Sequence, residues 1–239
     1  MKRSAGLSRF SRKVGPSSKF VAILALLILI FTVPSITADG LLMQGPRSPG
    51  TVANDTSIGT IPWVNPGNAA TSDNASATCT LFYDEKGNYL KATNFGFAIP
   101  ATATINGILV EFEKDIEQGS QWAIYDHAVR IVKGGVIGST DRSLVSNWPY
   151  SDTYVSHGSD SDLWGETWTP ADINSNAFGV AISPTEKYIS EEIARIDHIR
   201  ITVFYTMPVG ASTLTLPGML LLIVFVSFVV CVNLKKQQR

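Results

Sequence analysis

Ile199, Ile201, Val203 and Tyr205 alternate along the chain with His198, Arg200, Thr202 and Phe204. A period of two sends the first set to one face of an extended strand and the second set to the other, so one face meets a core and the other meets water. The pattern returns in Ile105–Lys114, where Ile108, Val110 and Phe112 oppose Leu109, Glu111 and Glu113. It returns again in Tyr125–Lys133, where Val129 and Ile131 oppose Ala128, Arg130 and Val132. Shorter strand-like runs lie at Thr80–Tyr83, Tyr89–Phe97 and Ala177–Ser183, with Gly87, Pro100, Gly119, Gly134, Gly135 and Pro149 between the segments. Many short strands separated by turn residues, with no sustained helical period, predict an all-β sandwich or barrel over residues 61–206. One helical turn is expected after Thr169. That residue can cap it, Pro170 suits the first helical position, and Asp172 completes a capping box.

The ends of the chain differ from this middle. Of the 19 Lys and Arg, six lie in the first twenty residues and three in the last five, where there is no acid. The segment Asp39–Thr215 therefore holds 10 basic residues and all 20 acids, a net charge of −10 that the whole-chain value of −1 conceals. This excess of acid argues against a basic nucleic-acid-binding surface. Each basic end abuts an apolar run. Phe20–Val33, followed by Pro34, Ser35, Ile36, Thr37 and the small residue Ala38 before Asp39, reads as a secretory signal peptide. Ile36 is unfavourable for cleavage after Ala38, which keeps an uncleaved signal anchor as the competing reading. Leu216–Leu234 is 19 residues long. As a helix it would span about 28 Å, close to the hydrocarbon thickness of a bilayer. Lys235 and Lys236 follow it directly, as a cytoplasmic end requires. The expected organisation is a signal segment (1–38), a flexible lead-in (39–60), a sandwich (61–206), a stalk (207–215), a transmembrane helix (216–234) and a short cytoplasmic tail (235–239). The lipid bilayer is then one partner, and the sandwich faces the extracellular or periplasmic side.

Two cysteines, Cys79 and Cys231, fall in different segments, so no disulfide staples the sandwich internally. Cys79 is expected to be a buried apolar residue, with an intermolecular disulfide as the alternative. Asn54 and Asn74 stand in Asn-x-Ser/Thr sequons and are glycosylation candidates in a host that modifies them. Asp160, Asp162 and Glu166 cluster in a turn-rich segment that could offer oxygen ligands to Ca²⁺, although the spacing is not that of an EF-hand. Trp122, Trp148, Tyr150 and Tyr154 are the candidate surface aromatics, able to stack on a sugar ring. At least three of the five tryptophans are expected in the core.

Several blocks carry a resemblance. They are Trp63-Val64-Asn65-Pro66, the run Leu90 to Phe97 (LKATNFGF), Asp162 to Asn174 (DLWGETWTPADIN) and His198 to Tyr205 (HIRITVFY). In this order, over Pro62–Thr206, they resemble a module of predicted secreted, surface and phage-associated bacterial proteins. The resemblance implies a jelly-roll-like sandwich; the module carries no assigned activity, so nothing catalytic transfers with it. Leu216-Pro217-Gly218, the apolar run and the basic end together resemble the sorting tails of bacterial and archaeal surface proteins, without an LPxTG or PEP motif.

No G-x-S-x-G, phosphate-binding loop, Cys/His pair or zinc spacing is present. The sequence thus predicts a non-catalytic, membrane-anchored surface protein with a structural or adhesive sandwich. Its partner would be an extracellular glycan, an envelope polymer or another surface protein. A carbohydrate-binding module and a surface glycan hydrolase are the alternatives.

Overall fold

The computed structural model describes residues 40–117, 124–188 and 191–208. The signal segment, the transmembrane helix and the tail expected from the sequence lie outside these residues. Among the described residues no helix is long and apolar enough to cross a membrane.

Among the described residues ten strands build the fold: β1 (Leu42–Arg47), β2 (Thr51–Asp55), β3 (Ala77–Leu81), β4 (Tyr89–Thr93), β5 (Thr104–Ile116), β6 (Ile124–Lys133), β7 (Val136–Ile137), β8 (Thr153–Ser159), β9 (Gly179–Glu186) and β10 (Glu192–Thr206). They form two antiparallel sheets. The first runs β1-β10-β5-β8, with β3 pairing the other end of the β1 edge of β10, and the second runs β2-β4-β9-β6-β7. From β3 onward the chain passes back and forth between the sheets, giving the orders β3-β10-β5-β8 and β4-β9-β6-β7. Eight strands wound this way form a jelly roll.

Alternation sets which side chains meet between the sheets. Ile108, Val110 and Phe112 of β5 join Ile199, Ile201 and Val203 of β10, and all are fully buried. Val129, Ile131, Val180, Ile182 and Leu90 face them from the second sheet in the same core cluster. Each large apolar side chain so buried contributes about 1.5–3 kcal/mol of hydrophobic stabilisation. Trp63, Trp148 and Trp164 are buried as well, and Cys79 is a buried free thiol. The Trp164 indole N–H donates to the Ile108 carbonyl at 2.9 Å, and that of Trp63 donates to the Asn88 carbonyl at 2.9 Å. Each aromatic therefore gives its volume to the core without stranding a donor. Helix α1 (Pro170–Ile173) is capped as expected: the Thr169 side chain accepts from the Asp172 N–H, and the Asp172 carboxylate accepts from the Thr169 N–H.

Residues 39–60 correct one expectation. The segment read as a flexible lead-in supplies β1 and β2, which pair with β10 and β4. Both are edge strands with little buried surface of their own, so their composition has the Gly, Pro and Thr of a loop. β8 was likewise absent from the alternating pattern, because Gly158 and three hydroxyl residues dilute it.

Two β-bulges redirect charged residues. In β10 the register with β5 shifts between Ile196 and His198, which leaves Asp197 as the extra residue. In β6 the register with β9 shifts between Asp126 and Ala128, which leaves His127 as the extra residue. A bulge reverses the side-chain parity on one side of it. Val129 and Ile131 face the core beyond the second bulge, and Ile124 and Asp126 are buried on the near side of it.

Candidate functional site

The exposed aromatic side chains gather at one end of the sandwich. β3 runs into a tight turn at Phe82–Glu85, in which the Glu85 N–H donates to the Phe82 carbonyl at 2.9 Å and the Phe82 N–H donates to the Glu85 carboxylate at 2.9 Å. This turn docks on the end of β9: the Asp84 N–H donates to the Glu186 carbonyl at 3.1 Å, and the Glu186 N–H donates to the Glu85 carbonyl at 3.2 Å. Two residues further on, the Tyr188 N–H donates to the Glu186 carboxylate. Tyr125 pairs with Thr185 on the adjacent strand, and Lys187 Nζ stands 4.3 Å from its ring centre. Phe82, Tyr83 and Tyr188 are 51%, 62% and 50% exposed, on backbone fixed by these hydrogen bonds. Burial pushes the Glu186 carboxyl above its ordinary range, and repulsion from Glu192 adds to this. The arrangement offers flat apolar surfaces beside oxygen acceptors, which is what a polyhydroxylated ring with apolar C–H faces needs.

The aromatic residues chosen from the sequence do not assemble a platform. Trp148 is a correction: it is 1% exposed and belongs to the core. Tyr150 is half-buried and packs against that core. Tyr154 lies on the outer face of the first sheet, but the Arg200 guanidinium covers its ring at 3.6 Å and its hydroxyl bonds His198 Nδ1 at 2.8 Å. Trp122 lies outside the described residues. The signal for Phe82 was in the sequence: it shares the parity of Thr78 and Thr80, opposite Cys79 and Leu81, and is therefore an outward aromatic at a strand end.

His198 stands on the outer face as its parity required. It is nonetheless 8% exposed, because Ser48 Oγ approaches its Nε2 at 2.9 Å and Tyr154 covers its other side. Burial lowers its pKa below the ordinary value.

The expected calcium ligands are also arranged otherwise. Both oxygens of Asp162 accept from Arg142, at 2.6 and 2.9 Å, and one accepts from the Trp164 N–H at 2.8 Å. The hydrogen bond to Arg142 holds the Asp162 carboxyl below its ordinary range. A bidentate guanidinium takes the place a cation would need, and Asp160 is exposed beside it. The carboxylates that do converge among the described residues are Glu113, Asp152 and Asp197, with oxygens within 4.8 Å of one another. The β10 bulge brings Asp197 there. Asp152 titrates at about 6, raised first by desolvation and then by Glu113, Asp115 and Asp197. On either side of Glu113, Glu111 and Asp115 are bound by Arg200 and Arg195.

Of the two sequons, Asn74 is exposed with φ of 65°. The Asn54 side-chain Oδ1 accepts from the Trp63 N–H at 2.9 Å, and the Asn54 Nδ2 lies 3.0 Å from the Asn88 amide oxygen when that amide is turned to satisfy its neighbours.

Inside the sandwich, Lys114 of β5 meets Asp126 of β6, with Nζ 2.6 Å from Oδ1 and almost no exposure of either side chain. The Trp148 indole N–H donates to the same Oδ1 at 2.8 Å, and the Leu144 N–H donates to Oδ2 at 2.9 Å. His157 of β8 completes the group, with Nε2 3.8 Å from Oδ2. Burial pulls the Lys114 and His157 pKa values down. Burial raises Asp126, but Lys114 and His157 together outweigh it and leave the carboxyl below its ordinary range.

No family model matches the chain, and no curated protein matches it. Among solved structures, it is similar to a family 61 carbohydrate-binding module in complex with β-1,4-galactotriose, at 11% identity and a TM-score of 0.31, over 63% of this chain and 86% of that one. It is also similar to the xylan-binding module CBM15, at 12% identity and a TM-score of 0.33, over 71% of this chain and 98% of that one.

Proposed function

We propose that this chain is a non-catalytic surface protein, held to a membrane through Leu216–Leu234, whose jelly roll binds an extracellular glycan or envelope polymer. The observation that carries the reading is the exposure of Phe82, Tyr83 and Tyr188 at one end of the sandwich, on backbone locked by the Glu85–Glu186 pairing. Rings held on rigid backbone stack on a sugar at little cost in entropy. Glu85 and Lys187 supply polar groups for the sugar hydroxyls. The acidic outer segment and its flanking signal and anchor agree with a location outside the cytoplasm. The test is a binding screen of the purified protein against polysaccharides and cell-envelope polymers. Saturable binding to a glycan supports the reading, and the absence of binding to every member of the panel overturns it.

A further inference from the structure

We infer that Lys114 and Asp126 condense to an intramolecular amide that ties the two sheets together covalently, with His157 as the proton relay. Four observations meet at this place. The amine and the carboxyl group are in direct contact, 2.6 Å apart, and come from opposite sheets. Both are sealed from water, among Phe112, Trp148 and the core, with the Trp148 ring centre 4.4 Å and the Phe112 ring centre 6.0 Å from Nζ. The carboxyl group is polarised by two N–H donors on separate oxygens, Trp148 Nε1 on Oδ1 and Leu144 N on Oδ2. His157, 2% exposed, has a ring nitrogen without a hydrogen-bond partner beside that carboxyl group.

The reaction proceeds from the neutral amine–acid pair. An ion pair and a neutral amine–acid pair carry the same number of protons, and an apolar enclosure favours the neutral pair relative to water. Desolvation of Lys114 acts in that direction, against the lowered pKa of Asp126, which favours the ion pair. The Arg142 carbonyl, 2.8 Å from His157 Nδ1, can only accept, so Nδ1 carries the hydrogen and Nε2 presents a lone pair toward Asp126. Transfer of one ammonium proton to the carboxyl group frees the Nζ lone pair, which attacks Cγ and forms the C–N bond. His157 takes a second proton from the nitrogen and passes it on. Both protons end on Oδ2, the Cγ–Oδ2 bond breaks and one water leaves. Oδ1, held by Trp148, remains as the amide carbonyl. The step is a condensation without oxidant or reductant, and the contact distance supplies the proximity that a bimolecular amide formation lacks.

Such a bond would replace the disulfide that this sandwich lacks. It does not depend on glycan binding. The direct test is mass spectrometry of the denatured full-length protein followed by proteolytic mapping. The expected result is a deficit of about 18 Da, located in a branched peptide that joins Lys114 to Asp126. Recovery of the Lys114 and Asp126 peptides as separate linear species, or a deficit located elsewhere, overturns the inference. Because this reads the unmodified chain, it does not rely on any variant folding. Asp126→Asn is expected to form the same bond with loss of ammonia, a deficit of about 17 Da. Lys114→Met is expected to show no deficit. His157→Gln is expected to accumulate unlinked protein during a time course after synthesis, and full-rate linkage in that variant overturns the relay role.

Discussion

The indole N–H of Trp148 donates to Asp126 Oδ1 at 2.8 Å, and the face of the same ring lies against Lys114. One side chain thus satisfies an Asp126 oxygen and shields Lys114 Nζ. Trp148→Phe keeps the ring but deletes the donor, at an expected cost of about 1–3 kcal/mol. Trp148→Ala also opens a cavity, for about 3–5 kcal/mol. Denaturant unfolding checks both, as a lower midpoint with the slope conserved.

The histidines set the acid limb of stability. Burial lowers the pKa of His127, His157 and His198 in the folded protein below the ordinary value of 6.5. The unfolded chain therefore binds protons that the folded chain refuses, so this stability is complete above pH 6.5 and falls as the pH drops below it. Unfolding midpoints measured from pH 7.5 down to 5 in the Asp152→Asn variant, which removes the opposing titration of Asp152, should decline, and adding His157→Gln should flatten part of the decline. A curve that is level over this window contradicts the assignment.

Asp152 acts in the opposite sense. Its pKa rises from 3.8 to about 6 in the folded state, so the folded chain holds the proton more tightly. Its ionisation costs stability as the pH rises through that interval, and below 3.8 the penalty vanishes. Asp152→Asn is expected to raise the unfolding midpoint at pH 7 and to leave it nearly unchanged at pH 3.5. An equal effect at both values would show that the ionisation of Asp152, opposed by desolvation and by Glu113, Asp115 and Asp197, is not the cause.

Gly158 is fixed by close approach as well as by its φ of +77°. A Cβ there would lie 2.4 Å from the Ile108 carbonyl and 2.8 Å from Trp164 Nε1, the two atoms that bond each other across the sheet edge. Gly158→Ala is expected to cost about 2–4 kcal/mol through backbone strain and the displaced indole. Gly134→Ala, with open space around it, carries only the strain of its φ of +57° and should cost less.

Period-two alternation made β5, β6 and β10 legible in the sequence, and the capping residues made α1 legible, because each depends on neighbours a few positions away. Lys114 was legible too, since it continues the parity of Ile108, Val110 and Phe112 into the core. Asp126 was not: the bulge at His127 turns it inward, and a bulge leaves no mark in a two-residue pattern. The same holds for Asp197. β1 and β2 escaped notice because edge strands need few buried side chains. Trp148 was misplaced for another reason: only a three-dimensional partner, here Asp126, shows that its N–H can be satisfied in the interior. The exposed aromatic end needed the docking of the Phe82–Glu85 turn on Glu186, a contact between residues a hundred positions apart.

Titration calorimetry of a glycan from the polymer panel against the protein and its Tyr83→Ala/Tyr188→Ala variant tests the central claim most directly. The account predicts saturable binding by the native chain and a loss of about tenfold or more in the variant, equivalent to 1.4 kcal/mol, with its unfolding midpoint retained because both side chains are half exposed or more. Undiminished binding by the folded variant would place the ligand elsewhere on the jelly roll and contradict the account.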